Sequence, residues 1–108
     1  MTGSEYQIAA LRTAAELDPE GLRMNGVLGM CGETGEVADL LKKHYFQGHP
    51  LDVDKLINEL GDVMWYIAIT AQGLGVSLDQ VMELNIQKLR KRYPDGFDSS
   101  RSLNRENE

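Results

Sequence analysis

Over residues 56–69 the chain is apolar on almost every side of a helix: Leu56, Ile57, Leu60, Val63, Met64, Trp65, Tyr66, Ile67, Ala68 and Ile69 leave hardly any polar stripe. A helix of this kind needs neighbours all round. A chain of 108 residues is one domain's worth, and a few short helices do not readily wrap one of their number completely. The expectation is therefore a homo-oligomer, with this helix at or near the interface. The run is too short for a membrane span. Its longest uninterrupted stretch, 63–71, already contains Thr70, and a span needs about 20 apolar residues.

The rest of the chain reads as helix as well, with no sustained alternation of apolar and polar residues. The pattern predicts a first helix over 5–17, with Ile8, Leu11 and Ala15 at helical spacing, ended by Asp18-Pro19. A second helix covers 26–46. Its start is ambiguous, because Gly26, Gly29, Gly32 and Gly35 recur every third residue. Each glycine costs a helix about 1 kcal/mol relative to alanine. Either the regular helix begins late, or the glycines permit close approach of something else. Gly48-His49-Pro50 breaks the chain, and Asp52 caps a third helix that runs to Gln72, with Leu51 and Leu56 at hydrophobic-staple spacing. Ser77 and Gln80 form a capping box for a fourth helix reaching Lys91. The expected architecture is all-α: a compact bundle of four main helices over 1–97, completed by homo-oligomerisation, with a polar, mobile tail over 98–108.

Charge narrows the function. Eleven basic and 17 acidic residues give a net charge of −6, the opposite of a phosphate-contacting nucleic-acid binder. The start of the chain carries neither a basic nor an apolar leader pattern. The lone Cys31 reads as a small buried hydrophobe in a reducing compartment. A cytoplasmic protein without nucleic-acid or membrane partners is expected.

Two acidic pairs carry the chemistry, Glu33-Thr-Gly-Glu36 and Glu59-Leu-Gly-Asp62. Residues at i and i+3 share a helix face. At about 100° per residue, Leu40 falls between Glu33 and Glu36, and Tyr66 falls between Glu59 and Asp62, so both pairs lie on stripes that also hold apolar residues. The midpoint of Glu36 and Glu59, and that of Glu33 and Asp62, is one and the same: between Gln47 and Gly48. In an antiparallel hairpin about that turn, Glu36 comes opposite Glu59 and Glu33 opposite Asp62, roughly 17–22 Å from the turn. Four clustered carboxylates must take up protons or cations. With oxygen ligands only, the fitting cation is Mg²⁺, with Mn²⁺ as a substitute. Histidine is missing where a di-iron bundle would require it.

Mg²⁺ held by carboxylates suggests a phosphate-bearing substrate. Asn85, Lys88 and Arg92 run along one edge of the fourth helix. Asn85 reads equally as a satisfied buried amide and as a ligand contact, and Lys88 and Arg92 equally as phosphate binders and as charges favoured at a helix C-terminus. Lys42 and Lys43 end the second helix, with Lys43 near Glu36 in angle, and read first as solvated charges. His44 reads as a core or interface residue.

At these residues the sequence resembles the MazG-like all-α nucleoside triphosphate pyrophosphohydrolases. The matching segments are Gly32-Glu-Thr-Gly-Glu-Val37, Glu59-Leu-Gly-Asp-Val-Met-Trp-Tyr66 and Asn85-Ile-Gln-Lys88-Leu-Arg-Lys-Arg92-Tyr-Pro-Asp-Gly-Phe97, and the resemblance covers 22–97. It implies a helical dimer or tetramer that cleaves a nucleoside triphosphate between the α and β phosphates with Mg²⁺. It further implies that Glu33, Glu36, Glu59 and Asp62 are metal ligands, that Lys88 and Arg92 bind phosphates with Asn85 nearby, and that Tyr66 contacts sugar or base. Glu36 is the choice for general base. Base contacts are expected from the first helix and the glycine-rich segment. The competing readings are a phosphoribosyl-ATP or dUTP pyrophosphohydrolase on the same scaffold, and a non-enzymatic helical oligomerisation or partner-binding module.

Overall fold

The computed structural model describes residues 1–14 and 16–105, and over these it is helical with no strand. Helix α1 spans Gly3–Leu11, α2 Pro19–Gln47, α3 Val53–Gly73, α4 Leu78–Arg92 and α5 Ser99–Leu103. Ala15, expected on the first helix, lies outside the described residues.

Asp18-Pro19 starts the second helix instead of stopping the first. Asp18 Oδ1 accepts the Gly21 N–H at 2.8 Å, and Pro19 occupies the first turn, where its missing N–H is harmless. Helix α1 ends sooner than its pattern suggests. The Ala10 carbonyl accepts from Thr13 Oγ1 and from Trp65 Nε1, at 3.0 and 3.1 Å, and the chain tightens into i→i+3 turns through Ala14. At its other end α1 opens with a reciprocal box. The Thr2 N–H donates to Glu5 Oε1, and Glu5 N–H donates to Thr2 Oγ1.

Helix α2 has 29 residues and runs straight through the glycines. Two of them are sites of close approach to α3. A Cβ at Gly26 would meet the Thr70 side chain and the Tyr66 carbonyl, and one at Gly29 would strike the Tyr66 ring. Gly48, at φ 74°, closes α2 in the left-handed conformation. Asp52 then caps α3 by accepting the Lys55 N–H at 3.0 Å. Ser77 caps α4 by accepting the Gln80 N–H at 3.0 Å. The α1 helix is tied to this last junction: Asp79 accepts from Gly3 N–H and Ser4 Oγ, and buried Gln7 bonds Gln72, the Val76 carbonyl and the Leu78 N–H.

The main packed interface joins α2 to α3; smaller ones join α1 to α3, α1 to α4, and α3 to α4. The core is small and sits at the C-terminal half of α3, where Ala68, Ile69 and Ala71 are buried with Ala10 and Leu78. The N-terminal half of α3 is uncovered: Val53, Ile57, Leu60 and Met64 are 55, 59, 56 and 43% exposed.

The expectation of a compact bundle fails for the single chain. Its radius of gyration is 16.9 Å, against about 13 Å for a domain this long. Helix α4 leans on α1 and α3 and has no packed interface with α2 among the described residues, so the bundle stays open on one side. Within the polar tail, Asp98 caps the five-residue α5. Residues 106–108 lie outside the described set. No helix of the described residues is long and apolar enough to cross a membrane.

Candidate metal centre

The α2–α3 hairpin gathers its acids midway along both helices. One carboxylate oxygen each from Glu33, Glu59 and Asp62 lies within 4.8 Å of the others. Glu33 and Glu59 are half-buried and Asp62 is exposed. The Oε2 atoms of Glu33 and Glu59 are shut off from water and have no hydrogen-bond partner. A buried acceptor without a donor is costly, and two such oxygens in one acidic cluster are more so unless a cation or proton compensates them. The donor set is all carboxylate, which suits a hard divalent ion.

Glu36 reaches the same group from one turn further along α2. Its carboxyl is held above the usual carboxylate range, first by the hydrogen bond with Glu59 and then by the charge of Glu59, against a smaller opposing pull from Lys55. Glu59 is raised in turn, chiefly by the close approach of the Glu33 carboxyl and by desolvation, with Glu36 acting the other way. The hairpin thus holds protons more tightly than separate side chains would.

Beside the acids a groove of about 470 Å³ is lined by Gly32, Gly35, Glu36, Asp39, Leu40, Lys43, Lys55 and Glu59. Lys43 lies 2.9 Å from Asp39 and Lys42 lies 3.3 Å from it; Lys43 lines the groove while its side chain stays 44% exposed. Lys55 was not among the residues singled out from sequence. Its place four residues before Glu59, on the same helix face, was the available signal.

Tyr66 sits one turn past Asp62, half-buried, with its ring over Gly29 and edge-on to Trp65 at 5.1 Å and 89°. The other predicted contacts stand apart. Asn85 and Lys88 are exposed on α4 and Arg92 is half-buried at its end; none of the three lines the groove. Within the single chain Asn85 is not a buried amide. His44 is an end-of-helix residue whose Nδ1 lies 2.9 Å from the His49 carbonyl oxygen. Cys31 is exposed instead of buried, because no α4 covers that part of α2.

Fold and site together define an all-helical protein whose central hairpin forms an oxygen-only nest suited to a divalent cation. The chain belongs to the MazG nucleotide pyrophosphohydrolase domain family, whose model matches residues 25–97 and so spans the acidic pairs, the groove and α4. It is 40% identical over 101 residues to the Gene 37 protein of Mycobacterium phage L5, covering 84% of this chain and 88% of that one. It is 51% identical over 39 residues to the uncharacterized protein YvdC of Bacillus subtilis (strain 168), covering 36% and 37%. No solved structure matches the chain.

Proposed function

We propose that the chain is a Mg²⁺-dependent nucleoside triphosphate pyrophosphohydrolase, converting a nucleoside triphosphate and water into the monophosphate and pyrophosphate. The observation that carries this reading is the pair of buried, partnerless oxygens, Glu33 Oε2 on α2 and Glu59 Oε2 on α3, in residues whose carboxylates cluster with that of Asp62. Glu33, Glu59 and Asp62 would hold the ion. Once bound, a divalent ion lowers the pKa of a water and offsets charge on the phosphates.

The chain's own groups do the rest. Glu36 lies beside the closest three carboxylates and has a raised affinity for protons, which fits a general base that takes the proton of the attacking water. Oxygen adds to the α phosphorus as the bond to the bridging oxygen breaks, and pyrophosphate leaves. Lys43 and Lys55, which line the groove, offset the charge of the departing phosphates.

The working unit on this reading is an oligomer. The single chain exposes 7951 Å², against about 6,000 Å² for a folded monomer of its mass. The excess of roughly 1,900 Å² is what one partner buries in a large obligate interface. The uncovered stripe Val53, Ile57, Leu60 and Met64 is the apolar face to be covered. A second copy could carry its α4 across the open side of the hairpin and bring its Asn85, Lys88 and Arg92 toward the phosphates.

The test is Mg²⁺-dependent pyrophosphate release over a nucleotide panel that includes dUTP and phosphoribosyl-ATP, with Glu33→Gln and Asp62→Asn alongside. Loss of turnover in both folded variants is expected. Equal rates in variants and wild type would dismiss the site, and no pyrophosphate release from any nucleotide would leave the non-enzymatic module as the reading.

A further inference from the structure

Four glycines recur along α2, but only two have a reason inside the chain. Gly26 and Gly29 let α3 approach, through Thr70 and Tyr66, whereas a Cβ at Gly32 or Gly35 would meet nothing within 4 Å. Glycine is the poorest helix former after proline, so neither local structure nor packing accounts for these two. Both instead line the groove beside the carboxylates, where they present bare backbone. The groove also differs from end to end. Gly35 and Lys43 are about 12 Å apart along the helix axis; Glu36 adjoins Gly35, and the rest of the lining includes Lys55 and Lys43, the latter ion-paired with Asp39.

We infer that the groove is directional: the nucleoside of the substrate lies against the bare α2 backbone at Gly32 and Gly35, and its terminal phosphates point toward Lys43 and Lys55. This rests on the reading that the site cleaves nucleoside triphosphates. A sugar or base is uncharged and broad, so it gains contact area where no side chain stands in the way. The phosphate end needs cations, and a side chain at either glycine would occupy the space the nucleoside needs.

The experiment compares wild type with Gly35→Ala, Gly32→Ala and Lys55→Ala in the presence of Mg²⁺. It reads melting temperature, oligomeric mass, KM for the nucleotide and inhibition by added pyrophosphate. Gly35→Ala and Gly32→Ala should melt a few degrees higher, since alanine favours helix. Their KM should nevertheless rise about tenfold or more, because misplacing a bound substrate by even 1 Å is costly. Their inhibition by pyrophosphate should stay within about twofold of wild type. Lys55→Ala should show the converse for pyrophosphate, a loss of about tenfold. An unchanged KM in both glycine variants, an equal weakening of nucleotide and pyrophosphate, or a loss of oligomeric mass that accounts for the effect overturns the inference while leaving the activity standing. A wild type that releases no pyrophosphate from any nucleotide overturns both.

Discussion

Substituting Gly26 should reveal how tightly α2 is pressed on α3. In an open helix, Gly→Ala stabilises by about 1 kcal/mol. At Gly26 the new methyl would stand 3.0 Å from Thr70 Cβ and 3.0 Å from the Tyr66 carbonyl oxygen, and closer still to the Thr70 hydroxyl. One of these neighbours is backbone and does not rotate away. Overpacking of this kind costs about 1–3 kcal/mol. The Thr70 hydroxyl donates to the Tyr66 carbonyl at 2.7 Å, and displacing it adds about 1 kcal/mol. The helix gain of about 1 kcal/mol offsets only about a quarter of the total at the upper end, leaving a net loss of about 1–3 kcal/mol. For a domain of this size each kcal/mol moves the melting temperature by about 4–8 °C. Thermal denaturation followed by circular dichroism, at one fixed protein concentration so that association contributes equally, should show Gly26→Ala melting well below wild type and Gly35→Ala slightly above it. Adding Thr70→Ala to Gly26→Ala should recover part of the loss, a coupling readable as a double-mutant cycle. If Gly26→Ala melts as high as Gly35→Ala, the close approach of α2 and α3 is wrong, and with it the geometry that brings the acids together.

Other outcomes follow from the same structure. Glu36 and Glu59 have raised folded-state affinities for protons. In metal-free protein their contribution to stability is therefore full below the ordinary carboxylate value, and it is lost as pH rises through the raised one; the melting temperature should fall over that window, and saturating Mg²⁺ should reverse the fall. A melting temperature indifferent to Mg²⁺ at neutral pH would count against the nest. Leu60→Asp places a charge on the uncovered α3 stripe and should shift the mass measured by light scattering toward the monomer, while a mass unchanged by it would remove this face from the interface. Trp65→Phe removes the donor to the Ala10 carbonyl and Thr13 Oγ1, at 3.1 and 2.9 Å; a loss of about 1–2 kcal/mol in urea denaturation is expected.

The placing of the acids was legible because it depends on counting. Glu36 and Glu59 lie at equal distances from Gln47 and Gly48, the turn falls where Gly48 can take a positive φ, and both helices are regular between. Caps were legible for the same local reason, as at Asp52 and Ser77. What failed to show was anything decided by tertiary contact. Asp18-Pro19 fits a helix end and a helix start equally, and only the path of α1, held by Trp65, chose between them. The four glycines look alike in sequence and separate only when α3 is laid against two of them. The placement of α4 could not be foreseen, because an amphipathic helix fits its own chain and a second copy equally well. Asn85 and Lys88 are accordingly exposed. Lys55 does not stand out in the sequence, because a lysine four residues from a glutamate reads as an ordinary i,i+4 pair on a solvated helix face.

The most direct measurement is identification of the products formed from a nucleoside triphosphate panel, by ³¹P NMR, with and without Mg²⁺. The account requires a nucleoside monophosphate and pyrophosphate from at least one member, formed only with the divalent ion and absent when Glu59 is replaced by glutamine. Release of inorganic phosphate with a diphosphate left behind, or turnover that survives both chelation and Glu59→Gln, would contradict it.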